Sequence, residues 1–219
     1  MIILKDSITL IGDVHGKYEE YFNIAWRSEF SIQLGDFGFS REWNRLGYSG
    51  LDSNKHKVLA GNHDDYNTCM HSPFCLGDFG MSELGEIKFF FLRGGISIDR
   101  TFRDADRINN GPTTYWQEEE LNFNQMLECI SLYKIDKPDI VLSHAPPGLV
   151  IPYLHDNQNI LKRFGFKEDF IENTSRLGDE LLKIHKPKTW VFGHHHKSLN
   201  KKINGVHFIG LDELEVIDI

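Results

Sequence analysis

The sequence predicts an α/β fold in which two β-sheets pack face to face with helices outside. Three observations carry that reading. Short apolar runs alternate with helical or loop segments through the opening part, which favours an α/β arrangement. Gly-containing turns join pairs of runs into hairpins in the middle and at the end. Five polar segments, moreover, each follow a short apolar run: Gly12-Asp13-Val14-His15-Gly16, Gly35-Asp36, Gly61-Asn62-His63-Asp64, Ser143-His144 and Gly193-His194-His195-His196. The runs are Ile8 to Ile11, Ser31 to Leu34, Lys57 to Ala60, Ile140 to Leu142 and Thr189 to Phe192. Side chains that follow buried strands emerge on one edge of a sheet, where they converge.

Taken in order, a strand at Ile8 to Ile11 leads into a helix from about Lys17 to Trp26, where Tyr18, Phe22 and Trp26 recur at helical spacing. A second strand spans Phe30 to Leu34. Residues 38 to 56 are Gly- and Ser-rich loop, with one helical turn near Arg41 to Arg45, and a third strand spans Val58 to Ala60. Phe79 to Leu84 and Ile87 to Leu92 form a hairpin about Gly85-Glu86. Its run Phe89-Phe90-Phe91-Leu92 is apolar throughout, as a strand buried on both faces requires. Residues 94 to 113 read as a polar, Arg-rich loop. A helix follows, capped by Thr113 or Thr114 and carrying Glu118, Glu119 and Glu120 in its first turns. A long loop from Pro146 to about Lys167 precedes a helix from there to His185. The end is β again: Trp190 to Phe192, a hairpin turning at Asn204-Gly205, Val206 to Leu211, and Leu214 to Ile219.

Size and composition set the limits. A chain of 219 residues is most economically one domain, spanning 1–219, with room for a sizeable core. A net charge of -8 argues against a surface built throughout for nucleic acid, while leaving room for a local basic groove. Cys69, Cys75 and Cys129 are odd in number and lack CxxC spacing, which reads as reduced thiols. The segment Met1 to Leu10 carries Lys5 and Asp6 and is too short for a signal peptide's apolar core. No apolar run approaches the roughly 20 residues of a membrane span. These features lead us to expect a cytoplasmic protein without a membrane partner.

The polar segments carry the chemistry. Asp13 and His15 alternate along an extended loop, so both reach one ion while Val14 points away. His194 and His196 share that spacing. Asp36 follows a glycine, Asn62 offers a neutral carbonyl oxygen, and His144 adds another imidazole. Carboxylate, imidazole and amide without thiolate suit manganese, iron, zinc or nickel rather than a structural Cys–zinc site, magnesium or calcium. Seven such ligands are too many for one tetrahedral ion but suit two ions sharing a bridging carboxylate. Two ions about 3.5–4 Å apart bind a bridging hydroxide and polarise a phosphoryl oxygen. His63 is then free to act as general acid toward the leaving oxygen, with Asp64 orienting its ring or raising its pKa.

The ordered set GDxHG, GD, GNH(D/E), H and GHxH resembles that of the calcineurin-like metallophosphoesterases, over about residues 8 to 210. The resemblance implies an αββα sandwich of two mixed β-sheets flanked by helices, with a dinuclear metal site at strand C-terminal ends. It implies a metal-dependent phosphoesterase acting on phosphomonoesters or phosphodiesters, with two divalent transition-metal ions, manganese first and iron, zinc or nickel as alternatives. Asp13, His15 and His196 resemble the ligands of the first metal, Asp36 the bridge, and Asn62, His144 and His194 those of the second. His63 corresponds to the leaving-group acid and Asp64 to its partner, while His195 fills the family's variable position. Gly94 to Arg100, then Tyr115-Trp116 and Glu118-Glu119, are similar to a pattern in small bacterial and phage members. The protein phosphatases and dinucleoside-tetraphosphate hydrolases carry an arginine four residues past the second aspartate. Here Arg41 falls one residue later.

Other residues weigh less. His56, His71, His155, His185 and His207 read as surface or core histidines. Arg93, Arg100, Arg103 and Arg107 form a candidate phosphate clamp or a loop paired with its own aspartates. Trp43, Tyr115 and Trp116 are packing residues or nucleobase platforms. A phosphate-ester small molecule or nucleotide is the expected partner, with phosphoprotein and nucleic acid behind it. A nuclease or nucleotide hydrolase on the same site, and an inactive binding scaffold, are the competing functions. The scaffold ranks last because every ligand position and His63 are filled.

Overall fold

The computed structural model describes residues 7–38, 49–103, 105, 116–154 and 159–219. Two mixed sheets form its centre. In the first sheet, β1 (Ile8–Ile11), β2 (Phe30–Gln33) and β3 (His56–Val58) are parallel, and β10 (Val216–Asp218) lies antiparallel beside β1. The second has the order β4 (Phe79–Leu84), β5 (Ile87–Leu92), β6 (Ile140–Ser143), β7 (Thr189–Phe192), β9 (Val206–Gly210) and β8 (Leu199–Ile203). Its β5, β6, β7 and β9 are parallel, with antiparallel strands at both edges.

Period-two alternation assigns each side chain to a layer. Ile8, Leu10, Phe89, Phe91, Leu142 and Val191 point between the sheets and make the inner core. Their neighbours Phe90, Leu92, Val141, Trp190 and Phe192 point the other way, under α3 (Phe123–Asp136) and α5 (Asn173–Ile184). Ile11, Tyr21, Phe22 and Phe37 fill a third layer, under α1 (Tyr18–Ala25) and the short α2 (Tyr66–Cys69). Every strand of the Phe89–Leu92 kind is thus apolar on both faces because both are covered.

Several expected boundaries move. The third strand ends at Val58, two residues before Ala60, because Val58 completes the ladder to β2 and Ala60 O turns to accept from Gly94 N–H in the other sheet (3.0 Å). The helix expected after Thr114 is a 3-10 turn, Gln117–Glu119, and α3 begins only at Phe123. There Asn122 accepts from Gln125 N–H while the Gln125 side chain accepts from Asn122 N–H, a complete capping box that outcompetes the acidic stretch upstream. The loop from Pro146 holds a 3-10 segment, Gly148–Tyr153, and the short α4 (Asn159–Arg163). The helix expected from Lys167 starts at Asn173. The last strand is shorter than Leu214 to Ile219 and returns to the first sheet. The Asn204-Gly205 hairpin has both turn residues at positive φ (51° and 94°), as a two-residue hairpin requires. The turn at Arg41 to Arg45, Thr113, Thr114, Trp43, Arg107, Tyr115 and His155 lie outside the described residues.

Asn122→Ala removes the box and is expected to lower stability by about 1 kcal/mol. A fall in the urea midpoint with unchanged slope would show it.

Candidate metal centre

The C-terminal ends of β1, β2, β3, β6 and β7 reach one rim of the sandwich, and the loops that leave them interlock. His15 and Val14 N–H both donate to Asp36 O (2.7 and 3.1 Å). His194 N–H donates to Asp13 Oδ1 (3.0 Å), and His63 N–H to Asp36 Oδ1 (2.8 Å). Each loop is therefore held by the carboxylate or carbonyl of another. Four candidate ligands, His15, Asp36, His194 and His196, have positive φ (48°, 55°, 72° and 46°), a conformation residues with side chains seldom adopt. The motif glycines serve close approach: a Cβ at Gly35 would strike His144, one at Gly61 would strike Asp36, and one at Gly193 would strike Asp13.

All seven predicted ligands come together. In the first group, His196 Nε2 lies 2.8 Å from His15 Nε2 and 3.0 Å from Asp13 Oδ2. His15 Nε2 is 3.7 Å from Asp13 Oδ2 and 3.8 Å from Asp36 Oδ2. In the second, His144 Nε2 is 3.4 Å from Asp36 Oδ1 and 3.0 Å from Asn62 Oδ1, with His194 alongside. Donors about 2.0–2.2 Å from a common ion stand roughly 3 Å from one another, so these spacings fit metal coordination. Asp36 turns one carboxylate oxygen to each group. Asp13 Oδ2 is buried without an aligned hydrogen-bond donor among the described residues, as an atom intended for a cation would be.

Surrounding bonds aim the ligands. His144 Nδ1–H donates to Leu34 O (2.8 Å), which leaves the Nε2 lone pair facing the centre. Asn62 Nδ2–H donates to Ser97 Oγ (3.0 Å), so Oδ1 points toward His144. Charge tells the same story. Burial alone would lower His144, but Asp36 and then Asp13 push it up to about 10. Burial opposes ionisation of Asp36 too, yet His144, His63 and His15 hold it well below the carboxylate range. Two buried carboxylates demand positive charge here.

His63 sits at the rim, its Nε2 4.0 Å from Asp36 Oδ2 and its ring 5.6 Å from that of His15. Burial lowers it to about 4, against the pull of Asp36. The expected partnership with Asp64 is a correction. Asp64 accepts from the backbone N–H groups of Phe37, Gly38 and Gly61 (3.2, 2.8 and 2.8 Å), which ties the second ligand loop to the third. None of these three contacts is with His63, and His63 Nδ1 has no hydrogen-bond partner among the described residues.

Of the arginines, Arg93 is buried against Asp78, Glu118 O and the Tyr66 ring, a structural placement. Arg103 Nη2 instead reaches 3.4 Å from His63 Nε2, while its Nε–H donates to Asp99 Oδ1 (2.7 Å). Trp116 packs against the core beneath α1. His56, His71, His185 and His207 bond to Ser31, Asn67 O, Pro138 O and Asn200, all away from the centre. Sequence reasoning missed Glu172. It is buried, stands 3.4 Å from His194 Nε2, and accepts from Ile96 N–H and Ser175 Oγ. His195, set aside as a ligand, joins Glu172 and His194 in a third grouping of metal-capable atoms. The Asn173-Thr174-Ser175 stretch, a helix-start signal, was the only local hint to this corner.

Glu119 supports Ser97 from below, accepting its N–H (3.0 Å), and burial raises its carboxyl to about 8. Near pH 4.5 and below, folded and unfolded chains both hold that proton. As pH rises toward 8 the unfolded chain releases it while the folded one keeps it, so stability is lost across that window. In metal-free protein, Glu119→Gln is expected to flatten the fall, read from melting temperatures between pH 5 and 8.

Comparison with known proteins places the chain in a family. The chain is 27% identical to a lariat debranching enzyme of Entamoeba histolytica, over 94% of this chain and 68% of that one. Among solved structures it is similar to a dimetal phosphatase from Danio rerio (TM-score 0.54, 14% identity, 96% of this chain and 88% of that one). It also resembles a hypothetical protein from Thermus thermophilus (TM-score 0.45, 16% identity, 94% and 75%). The profile of the calcineurin-like phosphoesterases matches residues 7–198, a span that takes in all five ligand-bearing segments. The chain therefore belongs to the calcineurin-like phosphoesterase family and is a hydrolase of phosphoric ester bonds.

Proposed function

We propose that the protein is a phosphoesterase dependent on two divalent cations, one held by Asp13, His15 and His196, the other by Asn62, His144 and His194, with Asp36 between them. The placement of the two Asp36 oxygens, one toward each ligand group, carries this reading. When bound, the cations supply an activated water and neutralise charge on the phosphoryl oxygens. Imidazole, carboxylate and amide donors favour manganese, with iron, zinc or nickel as alternatives.

The chain's own residues do the rest. His63 is the general acid that delivers a proton from its ring to the leaving oxygen. Its pKa is low in the protein alone, but a phosphate ester brings negative charge beside the ring and favours imidazolium. Arg103, next to His63, donates to a phosphoryl oxygen. Asp64 acts through the backbone it ties down rather than on the proton. Glu172 holds the His194 ring in place.

The substrate is a small phosphate ester or nucleotide. A nuclease or nucleotide hydrolase is the second reading; the likeness to a lariat debranching enzyme favours it, and a net charge of -8 weighs against a long polyanionic partner. Residues 1–219 work as one domain in this reading, since the ligands are drawn from both sheets. No helix among the described residues is long and apolar enough to cross a membrane. The free thiols of Cys69, Cys75 and Cys129 support a cytoplasmic setting.

Metal-free protein resupplied with Mn, Ni, Zn, Fe or Mg is expected to hydrolyse aryl phosphate mono- or diesters, and silence with every ion would refute the proposal. Asp36→Asn should bind fewer ions by elemental analysis; two retained ions would exclude the bridging role. His63→Ala should keep its metal while losing about 10²–10⁴-fold on alkyl esters and far less on aryl esters, whose leaving groups need little protonation. Equal losses on both would remove His63 as the acid.

A further inference from the structure

The metal-ligand rim opens directly into a cavity of about 390 Å³, and the two sides of that cavity differ in kind. Asp36, Asn62, His63 and His194 form one side. The other is apolar and comes from separate stretches of chain: Ile98 beyond β5, Ile151 in the 3-10 segment, and Leu161, Phe164 and Phe170 around and after α4. Apart from Leu161, these side chains are only half-buried, unlike the fully covered cores of the sandwich. A concave apolar wall left half-open beside polar chemistry is what a small-molecule site presents, and such sites run from about 300 to 1,000 Å³.

We propose that this wall is the subsite for the nucleoside of a nucleoside phosphate ester, with Phe164 and Phe170 as its stacking surfaces. The proposal rests on the phosphoesterase reading and names the substrate class for it. Both rings are braced. Phe164 meets Phe102 edge to face, with centroids 5.5 Å apart, and Phe170 meets Phe166 at 4.5 Å. Braced rings offer flat faces at low entropic cost, which suits a planar base better than a flexible acyl chain. A bare sugar phosphate fits poorly. Ser97 Oγ is engaged by Asn62 and Asp99 Oδ1 by Arg103, so most hydroxyls of a sugar against this wall would go unpaired. The polar edge of a base has His195 at the cavity margin.

Wall and metal centre are also mechanically joined. Phe170 lies two residues before Glu172, whose buried carboxylate holds Ile96 N–H, Ser175 Oγ and the neighbourhood of His194 at once. The stacking surface therefore adjoins, along the chain, the carboxylate that stands beside His194.

Two esters with one leaving group test this: thymidine 5′-(p-nitrophenyl phosphate) and ethyl p-nitrophenyl phosphate, on metal-reconstituted protein. The nucleoside ester should be preferred at least about tenfold in kcat/KM. Phe164→Ala and Phe170→Ala should each lower it about tenfold, leaving the ethyl ester within about twofold. Equal rates for the two esters in wild type, or equal losses on both in the variants, would overturn the subsite while leaving the phosphoesterase reading intact. Binding of thymidine 5′-monophosphate, followed by calorimetry, is independent of turnover and should weaken about tenfold in both variants. If neither ester is hydrolysed but that weakening is seen, diester hydrolysis fails and the subsite stands. Displacement by the mononucleotide alone identifies free nucleotides as its source, and displacement by a short thymidine oligonucleotide as well identifies a strand end. Unchanged binding in both variants would refute the proposal.

Discussion

Asp36 is a carboxylate that water cannot reach, placed where two groups of imidazoles meet. Burying such a charge without a partner is prohibitive, so the rim of the sandwich is organised around supplying positive charge to it. In the protein alone, His144 supplies it as an imidazolium held up to about 10 by Asp36 and Asp13. Divalent cations would take over that duty and displace the proton, which makes metal uptake and proton release one event. The seven candidate ligands are thus one electrostatic unit, with Asp36 facing both groups.

The sheets exist, functionally, to make that unit rigid. Three apolar layers fix the strand ends, and the strand ends fix loops whose backbone is forced into the left-handed region at four ligand positions. Strain of that kind persists only where surroundings over-determine the conformation. Here the determinants are hydrogen bonds passed between loops: Asp13 to His194, Asp36 to His63, Asp64 to Phe37, Gly38 and Gly61. Glycines at positions 35, 61 and 193 remove the side chains that would keep the loops apart. The packing thereby brings an imidazole-rich mixture of donors to one rim.

The architecture and the ligands were legible because they are written in local patterns. The unbroken apolar run Phe89 to Leu92 reveals a strand covered on both faces, Asn204-Gly205 reveals a hairpin, and five polar segments after apolar runs reveal a common rim. What stayed hidden depends on tertiary competition. The acidic run Glu118 to Glu120 looks like a helix start, but Glu119 and Glu120 are drawn inward to backbone and side-chain donors at Ser97, Asn173 and Thr174, so the helix waits for Asn122. Asp64, adjacent to His63, looks like its partner. Adjacent side chains diverge, however, and the carboxylate accepts from two backbone N–H groups of a distant loop and one of its own. Glu172 had no motif at all, since its importance lies in which ring packs over it.

The return of β10 to the first sheet has a temporal meaning. Gly12 N–H donates to Glu215 O and Leu214 N–H to Asp13 O, so the first ligand loop is clasped by residues far along the chain. During synthesis those residues emerge long after Asp13, His15 and Asp36 have left the ribosome. A nascent chain holds most of its ligands before it has the clasp that sets the first of them. The loop that carries Asp13 and His15 therefore gains these two hydrogen bonds only once residues 214 and 215 have been made.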